Sequence, residues 1–215
     1  MTQAERRLFL IRSLMKEKTE YRDLSIPAES GEQKRLLRSL MNVRAPAAAD
    51  GEFLRVQDDY LRQELAEGGI TDVNDLTPVS GDLYLWQGDI TRLQCGAIVN
   101  AANSGMTGCY IPCHACIDNC IHTYAGVQLR LECARLMAEQ GHAEPTGQAK
   151  LTRAYDLPCD YVLHTVGPIV EGRVTAETAV ETVRRYKAES NSALKVIFNV
   201  FKDTDREIYR RLLAG

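Results

Sequence analysis

The chain has 215 residues, 45% hydrophobic and 26% charged, with a net charge of −3 at pH 7. That length can bury a real core in one large domain, or in a domain with an extension. The balance of charge leaves no electrostatic footprint for duplex nucleic acid or an anionic membrane, so an anionic ligand has to be held by backbone amides or a metal.

Residues 1–77 read as a helical extension. Thr2-Gln-Ala-Glu5 predicts a capping box, with Leu8, Ile11, Leu14 and Met15 behind it at helical spacing. Ser30-Gly-Glu-Gln33 predicts a second box, leading into Leu36, Leu37, Leu40 and Met41 and stopping before Ala45-Pro46. Asp50 caps a third helix carrying Phe53, Leu54, Tyr60, Leu61 and Leu65, which Gly68-Gly69 ends. This part shows no chemistry. It reads as a helical cap packed on its neighbour, or as a partner-binding surface. An acidic linker around Asp72 and Asp75, then Pro78, marks the boundary. The N-terminus breaks its apolar stretch with charges and has no small-residue cleavage site, and no apolar run can span a bilayer, so a cytoplasmic location is expected.

Residues 78–215 change pattern. Gly81–Gly88 alternates like a half-buried strand, and Cys95–Ala102 reads as a buried parallel strand feeding the loop Asn103-Ser-Gly105. His122–Gln140 predicts one helix closed by Gly141, followed by strands at Gln148–Ala154 and Tyr161–Val166, the latter ending at Gly167-Pro168. A helix over Thr178–Ala188, a strand over Lys195–Phe201 and a terminal helix after Asp203 complete an α/β sheet with helices on both faces. Ligands bind beyond the carboxyl ends of strands in such sheets, where Asn100 and Asn103 lie.

The segment Cys109-Tyr-Ile-Pro-Cys-His-Ala-Cys-Ile-Asp-Asn-Cys120 holds four of the seven cysteines. In a cytoplasmic chain these are thiols or metal ligands rather than disulfides. Their i, i+4, i+7, i+11 spacing also fits a buried helical stripe, but Pro112 and Gly108 argue for a loop in the first half, with helix starting near Cys116 or Asp118. Cys109-x4-His114-x-Cys116 supplies a Cys2His set, the number of ligands of a catalytic zinc site with an open position. Cys113-x2-Cys116 is the alternative pair, Cys120 or His122 a conceivable fourth ligand, and a reactive thiol or an iron–sulfur cluster the other chemistries considered.

Gly88-Asp-Ile-Thr91, Ala97-Ile-Val-Asn-Ala-Ala-Asn103, Cys116-Ile-Asp-Asn-Cys-Ile-His122, Gly147-x-Ala149 and Tyr161-Val-Leu-His-Thr-Val-Gly-Pro168 together resemble a macrodomain, with a weaker match over Lys195–Leu213. The resemblance implies a three-layer α/β/α fold with a mixed sheet, preceded here by the helical extension. It implies binding of ADP-ribose and hydrolysis of ADP-ribosyl linkages. The Cys-x4-His-x-Cys loop, standing where other macrodomains have a glycine-rich loop, is similar to that of zinc-dependent macrodomains encoded beside class M sirtuins. Those remove ADP-ribose from protein carboxylates, with a lipoyl-carrier protein as the implied target. Carried onto this chain, Asp89 accepts the adenine amine with the Ile90 backbone beside it, and Asn103 binds the distal ribose. Cys109, His114 and Cys116 hold zinc, and Asp118 activates water or the ribose. From residue type alone the alternatives are that Asp89 caps a turn, that Asn103 belongs to one, and that Asp118 caps a helix, which is compatible with its catalytic role. His122 reads as structural, His164 as a satisfied core histidine and His142 as exposed.

The resemblance breaks between Gly172 and Thr178. A macrodomain has a helix there, then a core strand and a second phosphate-gripping loop with Ser-Thr-Gly, and the chain contains no Ser-Thr-Gly. A sequence that skips residues, an internal deletion leaving a binding module or degenerate pseudoenzyme, and a sheet closed by re-pairing or by a partner chain all account for the break. Omission or deletion does so more simply than a new architecture.

Overall fold

The computed structural model describes residues 1–167 and 173–214, without the side chains of Arg173 and Val174. The main elements, in chain order, are helices α1 (Gln3–Lys16), α2 (Ser30–Val43) and α3 (Gly51–Glu67), strands β1 (Pro78–Ser80), β2 (Leu83–Gln87) and β3 (Ala97–Ala101), helices α4 (Ile117–Tyr124) and α5 (Val127–Gln140), strands β4 (Ala149–Arg153) and β5 (Tyr161–Thr165), helix α6 (Arg173–Ser190), strand β6 (Val196–Val200) and helix α7 (Asp203–Ala214). They form two compact units, Met1–Ile70 with Gln94–Gly167, and Thr71–Leu93 with Pro168–Gly215. No helix among the described residues is long and apolar enough to cross a membrane.

In the first unit the three N-terminal helices bury Leu10, Leu14, Leu37, Leu40, Phe53 and Tyr60 in one cluster, and Val127 at the start of α5 joins it. The helical segment therefore shares its core with the α/β part. Thr2 and Glu5 form the expected capping box, and Asp50 accepts from the Phe53 amide. The second box does not form. Glu29 is the N-cap of α2 and gives no side-chain cap. The Gln33 side chain is instead drawn inward, donating to the Pro27 carbonyl and accepting from Arg7.

The sheet of this unit has the order β3-β5-β4, with β3 parallel and β4 antiparallel to the central β5. Ile98, Asn100, Thr152, Val162 and His164 are buried, while Val99, Leu151 and Tyr161 on the alternate positions are 53%, 55% and 47% exposed. The single helix expected over His122–Gln140 is two. It starts at Ile117 and breaks at Gly126, whose φ is 88°. A Cβ there would collide with the Gln57 and Gln128 side chains, so only glycine fits the bend.

The second unit carries the sheet β1-β2-β6, with β1 antiparallel and β6 parallel to β2. Leu83, Val180, Phe198 and Leu213 form its core between strands and α6 and α7. An α/β fold with mixed sheets and an N-terminal helical part is thus present, as expected. Among the described residues, β3 is paired only with β5, and β6 only with β2. Pro168, expected to close its strand, and Gly172, where the family pattern breaks, lie outside the described residues.

Candidate active site

Residues 109–116 form a loop, as Pro112 predicts, and the helical cysteine stripe is absent. Cys109 and Cys116 are half-buried and His114 is exposed. The two Sγ atoms and an imidazole nitrogen lie within 4.8 Å of one another, with Cys109 Sγ 3.6 Å from His114 Nδ1. Two thiols and an imidazole converging at the surface fit a zinc ion, whose ligands are soft sulfur and imidazole nitrogen. Cys116 is also the N-cap of α4, its Sγ accepting the Asn119 amide at 3.4 Å. Burial raises the Cys116 thiol above its ordinary range, and that amide works in the opposite direction.

Cys113 does not join this set. Its φ is 53°, and its Sγ lies 3.2 Å from Ser39 Oγ and 3.4 Å from the Arg35 carbonyl. Cys120 faces Arg38, at 3.5 Å, and His122 belongs to a separate buried cluster with Cys133 and His164. All seven cysteines are free thiols.

Asp118 sits in the first turn of α4 but does not cap it, because Cys116 does. Its buried carboxylate turns to the sheet and the following loop. Asn100 Nδ2, at the carboxyl end of β3, donates to Oδ1 at 2.8 Å, and Asn103 Nδ2 donates to Oδ2 at 3.3 Å and to the Gly108 carbonyl at 3.2 Å. Asn103 Oδ1 accepts the Gly105 amide, so the turn expected of Asn-Ser-Gly is present as well. Burial raises the Asp118 carboxyl above its ordinary range, opposed by the Asn100 hydrogen bond, the Arg130 charge and the Asn103 hydrogen bond.

Beneath the carboxylate, Asn100 Nδ2 reaches His164 Nδ1 at 3.1 Å, and Thr152 Oγ1 lies 3.0 Å from His164 Nε2. These partners assign the proton to Nε2. His164 is a satisfied core histidine, its pKa pushed down to about 4 by burial. His122 is fully buried too, with no hydrogen-bond partner for either ring nitrogen among the described residues and Nε2 3.6 Å from Asp118 Oδ1. Its pKa is lowered by burial first, then by His164 and Arg130. His142 is exposed.

Asp89 and Ile90 belong to the second unit. Asp89 caps a short turn, Oδ1 accepting from the Thr91 amide and hydroxyl at 3.0 and 2.7 Å, and Oδ2 lies 3.4 Å from Arg92 Nε. Sequence reasoning missed Arg38, Asn42, Asn119 and Arg130, all bonded to the cysteine loop or its flanks. Nothing local marks Arg38, Asn42 and Arg130, whose loop partners are 76, 71 and 21 residues away, whereas Asn119 bonds to carbonyls eight and ten residues before it.

Residues 99–199 match the family described as the Macro domain. A solved macrodomain of Trypanosoma brucei superposes in its complex with ADP at a TM-score of 0.58, with 23% identity, covering 83% of this chain and 96% of that one; its complex with ADP-ribose gives 0.56. Superposition and matched segment define a macrodomain fold. The protein-ADP-ribose hydrolase of Treponema medium is 50% identical over 261 aligned positions, covering all of both chains, and that of Staphylococcus aureus strain MRSA252 is 38% identical over 247, covering 94% of this chain and 92% of the relative. The chain belongs to the protein-ADP-ribose hydrolase family.

Proposed function

We propose that this chain is a zinc-dependent hydrolase that removes mono-ADP-ribose from acidic side chains of a protein substrate in the cytoplasm. The broader part follows from the family: the chain is an ADP-ribosyl-protein hydrolase, and ADP-ribosylated protein is its substrate. The observation that carries the finer part is the convergence of Cys109, His114 and Cys116 two residues from a carboxylate oriented by two asparagines.

Cys109, His114 and Cys116 would hold the ion. Zinc bound by three protein ligands supplies Lewis acidity towards an oxygen at an open fourth position. Asp118, held by Asn100 and Asn103, accepts a proton from water or from a ribose hydroxyl. Asn103 would orient the distal ribose, and the family resemblance assigns the adenine amine to Asp89 with the Ile90 backbone. A carboxylate departs readily from C1″, so positioning and charge stabilisation suffice. The resemblance of the loop to the sirtuin-associated group supports a lipoyl-carrier protein, modified by a partner class M sirtuin, as the target.

A second reading, an ADP-ribose binding module or degenerate pseudoenzyme without turnover, is favoured by the unpaired edges of β3 and β6 among the described residues. The Treponema alignment covers the whole 215-residue chain yet is 261 positions long, so this chain has no residue at about 46 (261 − 215) of them, which supports a missing segment without locating it. One experiment separates the readings: release of ADP-ribose from a carboxylate-modified protein, with zinc loaded and then chelated, beside a titration with free ADP-ribose. Release that stops on chelation and returns with zinc supports the hydrolase. Release indifferent to chelation removes zinc from the mechanism, and binding without release establishes the module.

A further inference from the structure

Helix α2 has two faces. Leu37, Leu40 and Met41 are buried in the helical core. Arg35, Arg38, Ser39 and Asn42 recur at i, i+3, i+4 and i+7 and form a second stripe. A polar stripe on a helix is ordinarily a solvated face. Here it meets the cysteine loop. Arg38 Nη2 donates to the His114 carbonyl at 2.8 Å and to Asn119 Oδ1 at 2.9 Å. Asn42 Oδ1 accepts the Cys113 amide at 2.9 Å, and Asn42 Nδ2 donates to Thr123 Oγ1 at 2.9 Å. The Cys113 thiol rests between Ser39 Oγ and the Arg35 carbonyl.

Two further residues close the arrangement from the opposite side. Asn119 Nδ2 donates to the carbonyls of Cys109 and Ile111 at 3.3 and 3.0 Å. Arg130 Nη1 donates to the Asn42 and Arg44 carbonyls at 2.6 and 2.7 Å, where the helix end carries its partial negative charge. Its guanidinium lies 4.2 Å from the Tyr110 ring. The loop's backbone is thus gripped at Cys109, Ile111, Cys113 and His114, by groups of which none is a metal ligand.

We propose that α2 is the bracket of the metal loop. Arg38 and Asn42 are positioning residues that set the Cys109–Cys116 loop in its ligand-presenting shape before any ion arrives. The inference rests on the zinc reading above. Its physical basis is entropic: ordering a loop residue by residue costs conformational entropy, and Cys113 holds a positive φ of 53° that a non-glycine residue seldom keeps unaided. A loop ordered in folding does not bear that cost on binding. The helical segment, which shows no chemistry in the sequence, then forms part of the site.

The test is zinc affinity by chelator competition on the full chain, for wild type, Arg38→Ala, Arg38→Lys, Asn42→Ala and the control Lys34→Ala, whose ammonium pairs with Glu64 at 2.7 Å away from the loop. Thermal unfolding of each metal-free protein accompanies it. Residues that support metal ligands from behind are worth about 10–100-fold in affinity. Arg38→Ala is expected to weaken zinc by that much at an unchanged metal-free melting temperature, Arg38→Lys to recover part of the loss, and Lys34→Ala to bind as wild type. Asn42 is buried, so its variant is read only against its own metal-free stability. If wild type binds zinc tightly and Arg38→Ala binds equally well, the bracket is overturned while the zinc site stands. If Arg38→Ala weakens zinc only as far as it destabilises the metal-free fold, Arg38 is a folding residue and the inference fails. If wild type binds no zinc, the zinc reading itself falls and takes the bracket with it.

Discussion

Two regions of the first unit gather one residue chemistry and put it to opposite uses. The loop brings together Cys109, His114 and Cys116, and the core brings together His122, Cys133 and His164, each within 4.8 Å. In the loop the donors are half-buried or exposed. In the core they are buried, the His164 nitrogens face Asn100 and Thr152, and burial pushes the Cys133 thiol up to about 12. A metal entering the core would have to strip Thr152 from His164 and draw a proton from a thiol that holds it tightly. Proximity of donors is common to both regions. Access distinguishes them.

The largest effect that would break this contrast concerns stoichiometry. Wild type is expected to carry one zinc per chain, and Cys116→Ser or Cys109→Ser none. Cys133→Ala is expected to keep its zinc and to lose only folding stability, about 1 kcal/mol, as a truncated core residue does. Metal analysis with chemical denaturation checks all three. Two zinc ions per chain, or loss of zinc from Cys133→Ala, would mean that the core cluster is a site.

Asp118 stands between the two regions, tied to Asn100 on the core side and to Asn103 on the loop side. Asp118→Asn keeps an oxygen for Asn100 to donate to and removes the proton acceptor. A positioned acid or base is worth roughly 10²–10⁴-fold, so kcat is expected to fall by at least about 10²-fold with zinc content and ADP-ribose affinity retained. Turnover within a fewfold of wild type would leave the metal loop as the whole catalytic apparatus.

Legibility in the sequence followed range. The Thr2 and Asp50 caps, the strand patterns around Ala97–Ala101 and Tyr161–Thr165, and the cysteine loop were readable because each signal lies within a few residues. The bend at Gly126 was not, because Val127 and Leu129 continue an apolar helical pattern while Gln57, from α3, occupies the space a side chain would need. Ser30 looked like an N-cap until Arg7 and Pro27 claimed Gln33, its expected reciprocal partner. Asp118 likewise looked like a cap, and a cysteine two residues earlier took the role. The polar stripe of α2 resembled a solvated face because its partner loop is far along the chain. At Gly126, at Gln33 and along α2, what escaped was a polar side chain whose partner is non-local.

The core side of the contrast also has a pH signature. His164 has a folded pKa near 4, below the ordinary 6.5, because burial disfavours its charged form. A depressed folded value means that folding favours the neutral ring. Stability from this group is full above about pH 6.5 and is lost as pH falls towards 4, by ~3 kcal/mol at most. His122, shifted the same way, adds to the slope. Denaturant unfolding at pH 7 and pH 4.5 is expected to show a smaller loss in His164→Gln than in wild type. Equal losses would mean that His164 is not held neutral by the fold.

The smallest effect sharpens the loop itself. Cys109 and Cys113 are four residues apart on one loop, but the positive φ of Cys113 turns its thiol to Ser39 and the Arg35 carbonyl, while Cys109 Sγ faces His114. Cys113→Ser keeps a small polar group able to donate to that carbonyl, so zinc content is expected to be unchanged and affinity to shift by no more than about threefold, below the 10–100-fold expected of a supporting residue. Chelator competition on Cys113→Ser beside Cys109→Ser decides the matter. Should the first lose zinc and the second keep it, the ligand set is Cys113, His114 and Cys116, and the loop must turn over when the metal binds.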